Sequence, residues 1–203
     1  MTSHDKLNVE ITNYSREFYA KRGNYIQTGG LEVARKGDDD RMLELIRKVG
    51  SGKAFGTNAY MISAAEAKEK FPLLEEDQIQ GAMWDPDAGL VTPRSQKVAG
   101  DLVDEAVAAG KLQAFPYTPA EEIIVENGRA VGVKTAKGTI MADHVVLCVG
   151  IWGSLVSETA NVKLPLMPVE HPLLFFGPWD ALAGTGVDIV YPLFRAQRNS
   201  AYG

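Results

Sequence analysis

The sequence has little cysteine, no long apolar run and no surplus of basic residues. Its single cysteine, Cys148, excludes an intramolecular disulfide framework and a multi-cysteine metal cluster. No stretch approaches the roughly 18 apolar residues of a transmembrane helix, and the polar start Met1–Lys6 lacks the apolar centre of a signal peptide. We therefore expect a soluble, cytoplasmic protein with no membrane partner.

Acidic residues outnumber basic ones, with 26 Asp and Glu against 21 Lys and Arg and a net charge of −5. Nucleic acids and anionic membranes favour clustered Lys and Arg, and since no such cluster occurs we expect no nucleic-acid partner. The acidic triplet Asp38–Asp40 is typical of the start of a helix, where negative charge meets the positive end of the macrodipole. It predicts a solvated helix start rather than a metal site, and we expect no bound metal.

Two glycine-rich nucleotide motifs are also missing. The stretch Gly50–Lys53 looks like part of a P-loop, but Arg47 stands at the first glycine and Ala54 replaces the required Ser or Thr. The same stretch fails the dinucleotide pattern G-x-G-x-x-G, because Phe55 stands at the third glycine. We predict a loop here, with no role in binding phosphate.

Hydrophobic periodicity predicts a mixed α/β (α+β) fold, with helices and strands interspersed along the first half of the chain. The strand Tyr25–Ala34 is interrupted by Gly29-Gly30, which indicates a bulge or a close backbone approach. Thr92 is predicted as the N-cap of a long helix, with Pro93 at its first position. The other elements predicted here are a helix within residues 1–24, the helix Asp38–Lys48, the strand Ala59–Ile62, the capped helix Ser63–Lys70 and the strand Gly81–Trp84. The long helix is predicted to bury one apolar stripe, formed by Val98, Ala99, Leu102, Val103, Ala106 and Val107.

Strands dominate the second half. Asn127-Gly128 predicts a tight hairpin between two strands, and a third strand completes a β-meander. The predicted elements are the strands Glu121–Glu126, Arg129–Thr135, Thr139–Ala142 and Val145–Val149, the short helix Trp152–Glu158, and the strands Leu166–Phe176 and Val187–Leu193.

The run Val145–Val149 is the most apolar of these strands and predicts burial on both faces of a parallel sheet. Gly150 ends it, at the edge of the sheet where ligands bind in open α/β folds and where a side chain would obstruct them. The segment thus indicates either a cofactor position or a core strand with a ligand-free glycine turn. Cys148, between Leu147 and Val149, is predicted to be a buried packing residue rather than a nucleophile.

Three segments carry a resemblance to a known family. They are Asp87–Arg94, similar to a G-x-x-x-P stretch before a long helix; Thr118–Ile123 followed by Gly128–Thr135; and Ala142–Trp152, similar to A-D-x-V-V-x-A-x-G-x-W with Cys148 in place of alanine. Together they resemble the FAD-dependent D-amino-acid-oxidase-like family, from about Tyr25 to the end of the chain. Phe71–Leu74 and Pro168–His171 look most like its sarcosine and dimethylglycine dehydrogenase branch.

The resemblance implies a partial substrate or cap region with helices and short strands in residues 1–84. It implies part of an FAD-binding Rossmann-like domain in residues 85–160, and part of an antiparallel substrate-domain sheet in residues 161–203. It implies FAD as cofactor, with the backbone of Ala120 by the adenine. The residues that would border the phosphates and ribose are Cys148, Val149, Gly150 and Trp152. His171, Tyr191 and Arg195 become candidate contacts for a small amine or amino-acid substrate. A structural role on a strand is the alternative for each of these three, and Arg195 has the clearest chemistry because a guanidinium binds a carboxylate in bidentate fashion.

The strand, G-x-G-x-x-G turn and helix that begin members of this family have no counterpart in the sequence. We expect the chain to correspond to the middle of a flavoenzyme, to bind FAD weakly by itself and to self-associate. Two hypotheses follow. The first is an FAD-dependent oxidoreductase acting on the C–N bond of a small amine or amino acid. The second is a non-catalytic α/β binding or interaction module derived from such an enzyme.

Overall fold

The computed structural model describes residues 5–170, 177–185, 189–196 and 201–202. It divides the chain into two compact units, the first formed by residues 1–105 with 176–203 and the second by residues 106–175. Across the described residues, every helix is too short or too polar to span a bilayer.

The helices are α1 (Lys6–Lys21), α2 (Asp39–Ala54), α3 (Ala64–Lys70), α4 (Ser95–Ala108) and α5 (Gly153–Glu158). The strands are β1 (Tyr25–Gln27), β2 (Gly30–Arg35), β3 (Tyr60–Ile62), β4 (Ile79–Asp85), β5 (Gly89–Val91), β6 (Ala120–Glu126), β7 (Arg129–Thr135), β8 (Gly138–Met141), β9 (Leu193–Ala196) and β10 (Ala201–Tyr202).

A five-stranded sheet with the order β10-β9-β2-β4-β3 forms the centre of the first unit. β2 pairs in antiparallel fashion with β4 and in parallel fashion with β9. Successive side chains of β2 point to opposite faces. Leu31 and Val33 pack on one face with Ile62 and Ile79, while Ala34 packs on the other, where α2 supplies Leu45 and Val49. Strands from the first 35 residues and from the last 11 residues of the chain therefore share one sheet. The division of the chain into domain regions 1–84, 85–160 and 161–203 stays a prediction.

Local sequence signals account for much of this unit. The Asp38 side chain accepts a hydrogen bond from the backbone N–H of Arg41 at 3.2 Å, which confirms the acidic triplet as a helix start. Ser63 and Glu66 form the predicted capping box at the start of α3. Gly29 has φ +75°, and a Cβ there would lie 2.1 Å from the Trp84 ring, so the predicted close approach is also confirmed.

Two predictions about the helices are wrong. Gly50–Lys53 is helical and not a loop, because α2 continues to Ala54 and buries Val49 and Gly52. That packing outweighs a glycine cost of about 1 kcal/mol per residue in a helix interior. Thr92 does not cap α4, which begins only at Ser95. Instead the Thr92 backbone N–H donates to the Asn24 carbonyl at 3.1 Å, and its own carbonyl accepts from the Asn24 side chain at 3.0 Å.

The predicted buried stripe of α4 is also mostly accessible. Val98 is buried, with 2% of its surface exposed, but Val103 and Val107 are 41% and 44% exposed. The prediction of a buried stripe is therefore wrong for all its residues except Val98, because helical spacing indicates an apolar face and not the element that would cover it.

The second unit is built on the predicted β-meander, with the sheet order β6-β7-β8. Asn127 (φ 51°) and Gly128 (φ 77°) both take the left-handed conformation that a two-residue hairpin turn requires, so the hairpin prediction is confirmed. The predicted short helix is present as α5.

The predicted buried strand Val145–Val149 is wrong. No strand is assigned to these residues, and Val146 is 80% exposed. A strand buried in a parallel sheet needs neighbours on both sides for its N–H and C=O groups. Within the described part of the chain, the meander contains the pairs β6 with β7 and β7 with β8. None of its strands pairs with Val145–Val149.

The predicted strand Leu166–Phe176 has no strand in its described part, residues 166–170. Of the predicted strand Val187–Leu193, the structure describes residues 189–193, and among these only Leu193 belongs to a strand, the first residue of β9.

Candidate cofactor groove

A groove of about 480 Å³ in the second unit brings together all five residues predicted to border a cofactor. Ala120 comes from the start of β6, and Trp152 from the turn that leads into α5. The residues that line it are Ala120, Cys148, Val149, Gly150, Trp152 and Val156. Segments almost 30 residues apart in sequence thus meet at one concave surface, as a ligand site requires.

Gly150 supplies the sharpest turn in the groove. It begins a single 3-10 turn, Gly150–Trp152, in which the Trp152 N–H donates to the Val149 carbonyl at 3.1 Å. Its φ of +54° is left-handed, which favours glycine, and no heavy atom lies within 4 Å of the position a Cβ would occupy. The predicted glycine turn is therefore present, and it leaves space that a side chain would fill.

Thr159 joins the two sides of the groove, and its sequence position gave no sign of this. Its hydroxyl accepts a hydrogen bond from the Ile123 N–H at 3.0 Å and donates one to the Val156 carbonyl at 2.7 Å. One hydroxyl thereby links the end of α5 to β6. This link holds Val156 beside Ala120.

The lining carries no charged side chain. Apolar and aromatic walls with backbone polar groups suit a flat heterocycle and its sugar, because rings gain from apolar contact while backbone groups supply the few directional hydrogen bonds. A pyrophosphate instead needs several N–H donors and a positive dipole. The groove therefore fits the adenine and ribose side of FAD better than the pyrophosphate.

Cys148 is an exposed free thiol, which makes the prediction of a buried packing residue wrong. The reason is the missing strand. Since Val145–Val149 pairs with no described strand, the thiol that was expected inside a sheet instead lines the groove.

Two of the three predicted substrate contacts lie in the first unit, and His171 lies outside the described residues. The Tyr191 ring meets Phe71 edge-on, with 5.4 Å between centroids. Arg195 is half-buried on β9, directly opposite Glu32 of β2 in the parallel register.

A buried charge cluster lies on the α2 face of the same sheet and was missed from the sequence. Glu32 is fully buried, and its Oε2 accepts hydrogen bonds from Arg41 at 2.6 Å and Lys48 at 3.0 Å. Arg41 also donates to Glu44 at 2.7 Å. Burial raises the pKa of Glu44, but the Arg41 and Lys48 charges and hydrogen bonds outweigh it, so that the pKa is lowered. The signal available in the sequence was an acidic residue, Glu32, between the apolar residues Leu31 and Val33.

A second, smaller cavity of about 200 Å³ lies in the first unit, lined by residues of α1 and of the turn between β4 and β5. Arg16 and Asp87 form an ion pair of 2.8 Å across it, and the Tyr25 hydroxyl donates to the Asp87 carbonyl at 2.6 Å. Burial raises the pKa of both Asp85 and Tyr25 there.

The sequence and fold are similar to those of known proteins. Human mitochondrial sarcosine dehydrogenase is 32% identical over 162 residues, which are 77% of this chain and 17% of that protein. A regulatory subunit of mouse mitochondrial pyruvate dehydrogenase phosphatase is 28% identical over 186 residues, 87% of this chain and 21% of that protein. The crystal structure of L-proline dehydrogenase from P. horikoshii superposes with a TM-score of 0.77 at 25% identity, covering 99% of this chain and 53% of that one.

The chain thus spans about a fifth of the length of these curated relatives and about half of the solved structure. A family profile described as FAD dependent oxidoreductase matches residues 4–201, nearly the whole sequence. The mixed α/β fold and the relatedness to sarcosine dehydrogenase agree with that match. The chain belongs to the FAD dependent oxidoreductase family.

Proposed function

We propose that the chain is the central portion of an FAD-dependent oxidoreductase that oxidises the C–N bond of a small amine or amino acid of the sarcosine and dimethylglycine kind. One observation carries the proposal. The groove gathers Ala120, Cys148, Val149, Gly150 and Trp152, the residues that the family resemblance assigns to FAD, around one neutral concave surface.

In this proposal the groove holds the adenine and ribose side of the cofactor. The backbone of Ala120 would face the adenine, and the turn at Gly150, where no heavy atom lies near the position of a Cβ, would leave room for the ribose. Trp152, which is 60% exposed, offers a flat apolar surface beside it. When bound, FAD would supply the acceptor for the hydride that leaves the α-carbon as the C–N single bond is oxidised to an imine. The protein would bind the cofactor and the substrate and orient them.

Tyr191, Arg195 and His171 are proposed as the substrate side. A guanidinium matches the geometry of a carboxylate and stays charged at every physiological pH, so Arg195 would hold the acid group of an amino-acid substrate. Tyr191 would limit the size of the substrate through its ring, which already packs on Phe71.

The test is a titration of the purified 203-residue chain with FAD and with ADP. Because the groove is uncharged, we expect the preparation to be colourless, added FAD to bind weakly, and ADP to compete with it for the adenine side. Stoichiometric flavin in the purified protein would contradict the expected weak affinity. FAD binding that ADP does not reduce would contradict the assignment of the groove.

A second candidate function is a non-catalytic regulatory or interaction module. The observation that favours it is the likeness to the regulatory subunit of pyruvate dehydrogenase phosphatase over 87% of this chain. The two functions separate in one assay. In the longer protein of which this chain would be the central portion, the oxidoreductase predicts that sarcosine or dimethylglycine bleaches bound FAD under anaerobic conditions. The module predicts unchanged flavin absorbance with FAD still bound.

Compartment and assembly belong to the same set of proposals. A reducing, cytoplasmic setting is proposed because the chain has a single thiol and no disulfide framework, whereas the names of the human and mouse relatives assign those proteins to mitochondria.

Self-association is proposed from exposed apolar residues, namely Val103 and Val107 of α4 and, separately, Val146, since exposed apolar groups favour contact between copies.

A further inference from the structure

β6 lies at one edge of the three-stranded sheet, with β7 as its neighbour among the described strands. An edge strand presents alternate backbone N–H and C=O groups that no neighbouring strand satisfies. The N–H of Ile123 is such a group, and Ile123 is buried, with 5% of its surface exposed. The Thr159 hydroxyl accepts from this N–H at 3.0 Å. Thr159 therefore caps the edge of β6 three residues along from Ala120, which lines the groove.

α5, the helix on the other side of the groove, has six residues, and no side chain caps its start. A helix this short is unstable by itself in water, so its position depends on contacts from outside the helix. Two hydroxyl groups supply such contacts. The Ser154 hydroxyl donates to the Leu164 carbonyl at 3.1 Å, and Thr159, the C-cap residue, accepts from Ile123. Of these two hydrogen bonds, the one at Thr159 joins α5 to β6.

The same hydroxyl also fixes the position of Val156. It donates to the Val156 carbonyl at 2.7 Å while it accepts from the Ile123 N–H, so one oxygen atom joins both sides of the groove. Val156 and Ala120 both line the groove, one from each side. Thr159 itself is exposed, so its side chain contributes these two hydrogen bonds rather than core packing. The spacing between Ala120 and Val156 therefore depends on the Thr159 hydroxyl.

We propose that Thr159 is a positioning residue that fixes the spacing between Ala120 and Val156 and thereby favours a purine base over a pyrimidine in the groove. The inference rests on the proposed function, because the purine is the adenine of FAD. A purine has two fused rings and gains more contact from two fixed walls than a pyrimidine does, while the ribose and the diphosphate are common to both nucleotides. Loss of the hydroxyl frees one wall, so the affinity for a purine nucleotide falls further than the affinity for a pyrimidine nucleotide.

NMR titrations of the full chain with ADP and with UDP test the proposal. Thr159→Val removes the hydroxyl and keeps the shape of the side chain, whereas Thr159→Ser keeps the hydroxyl. We expect Thr159→Val to weaken ADP binding about three- to tenfold, the worth of one neutral hydrogen bond, and to weaken UDP binding less. Thr159→Ser should restore the ratio of the two affinities found in the parent. A general loss of stability would lower both affinities alike, so the ratio reports the position of the wall.

Amide hydrogen exchange at Ile123 tests the hydrogen bond itself and requires no ligand. Exchange should become faster in Thr159→Val, because the N–H loses its acceptor, and should stay slow in Thr159→Ser. If Thr159→Val fails to fold by circular dichroism, Thr159→Ala replaces it with the same expected results.

Thr185→Val is the matched control. The Thr185 hydroxyl donates to the carbonyl three residues earlier, that of Leu182, at 2.9 Å, as the Thr159 hydroxyl does, but Thr185 belongs to the first unit. This variant should leave both affinities unchanged. If Thr159→Val keeps the parent's ratio of ADP to UDP affinity, or the parent's exchange rate at Ile123, the inference is overturned while the proposed function stands. A parent chain that binds no ADP contradicts the proposed function and this inference with it.

Discussion

β2 and the segment Val145–Val149 both lie in stretches that the sequence predicts as strands, yet the structure places them in opposite environments. β2 lies between β4 and β9, and all its residues except Arg35 are buried. Val145–Val149 pairs with no described strand, and its residues are half-buried or exposed. The difference teaches that an apolar run determines a tendency to form a strand, while burial depends on the neighbours that satisfy its backbone.

The largest effect on stability is expected at Glu32, the buried carboxylate of β2. Glu32→Ala leaves Arg41 and Lys48 without their shared carboxylate, and we expect a loss of about 3–5 kcal/mol in the free energy of unfolding. Urea unfolding followed by circular dichroism measures it. The triple variant Glu32→Leu, Arg41→Met, Lys48→Met removes the charges together and should recover most of that loss. A single variant as stable as the parent would show that the cluster is not buried in solution.

One substitution made in both runs tests the comparison itself. Val33→Thr places a hydroxyl of nearly unchanged volume inside the core, where Val33 is 3% exposed, and should cost about 1–3 kcal/mol. Val146→Thr makes the same change at a residue that is 80% exposed and should stay within about 0.5 kcal/mol. Equal losses at the two positions would mean that Val145–Val149 is buried.

Asp85 gives a smaller, pH-dependent effect in the first unit. Burial raises the pKa of this carboxyl in the folded chain. Its contribution to stability is therefore fully present below the unfolded value of about 3.9 and is lost as pH rises through the folded pKa. Asp85→Asn cannot ionise, so the variant does not lose stability as pH rises. The melting temperature of the variant minus that of the parent should therefore increase with pH above about 4, and a decrease across that range would contradict the raised pKa.

Cys148 gives a kinetic test of the exposed segment. As an exposed thiol it should react with a thiol reagent at nearly the rate of a free cysteine in the native chain. Saturating ADP should slow the labelling, since Cys148 lines the groove. If Cys148 reacts only in denaturant, the thiol is buried and the strand predicted from the sequence is correct. If ADP does not slow the reaction, the nucleotide does not bind in the groove.

The predictions from sequence succeeded where the signal is local. The capping box at Ser63, the turn at Asn127-Gly128 and the close approach at Gly29 each depend on a few neighbouring residues. They failed where distant partners decide. Thr92 is held by Asn24 rather than by a helix end, and Gly52 stays helical because α2 packs on the sheet.

The residues that line the groove were named through family resemblance, whereas Thr159 beside the groove and the charge cluster of the first unit were missed. Thr159 acts through two hydrogen bonds to β6 and α5, and no motif marks a hydroxyl at that position. Glu32 occupies a strand position that periodicity assigns to an apolar residue. Its partners Arg41 and Lys48 look like an ordinary solvated helix face in the sequence.

The central claim is that the turn at Gly150 forms part of a nucleotide site, and a pair of glycine substitutions tests it most directly. Gly150 (φ +54°) and Gly56 (φ +84°) both have left-handed backbones with no heavy atom within 4 Å of the position a Cβ would occupy, but only Gly150 lines the groove. Valine at either position should cost similar stability through backbone strain, about 1–2 kcal/mol. Isothermal titration with ADP should show at least about tenfold weaker binding for Gly150→Val and unchanged binding for Gly56→Val, since about 1.4 kcal/mol of lost contact suffices. Unchanged ADP affinity in folded Gly150→Val would contradict the account.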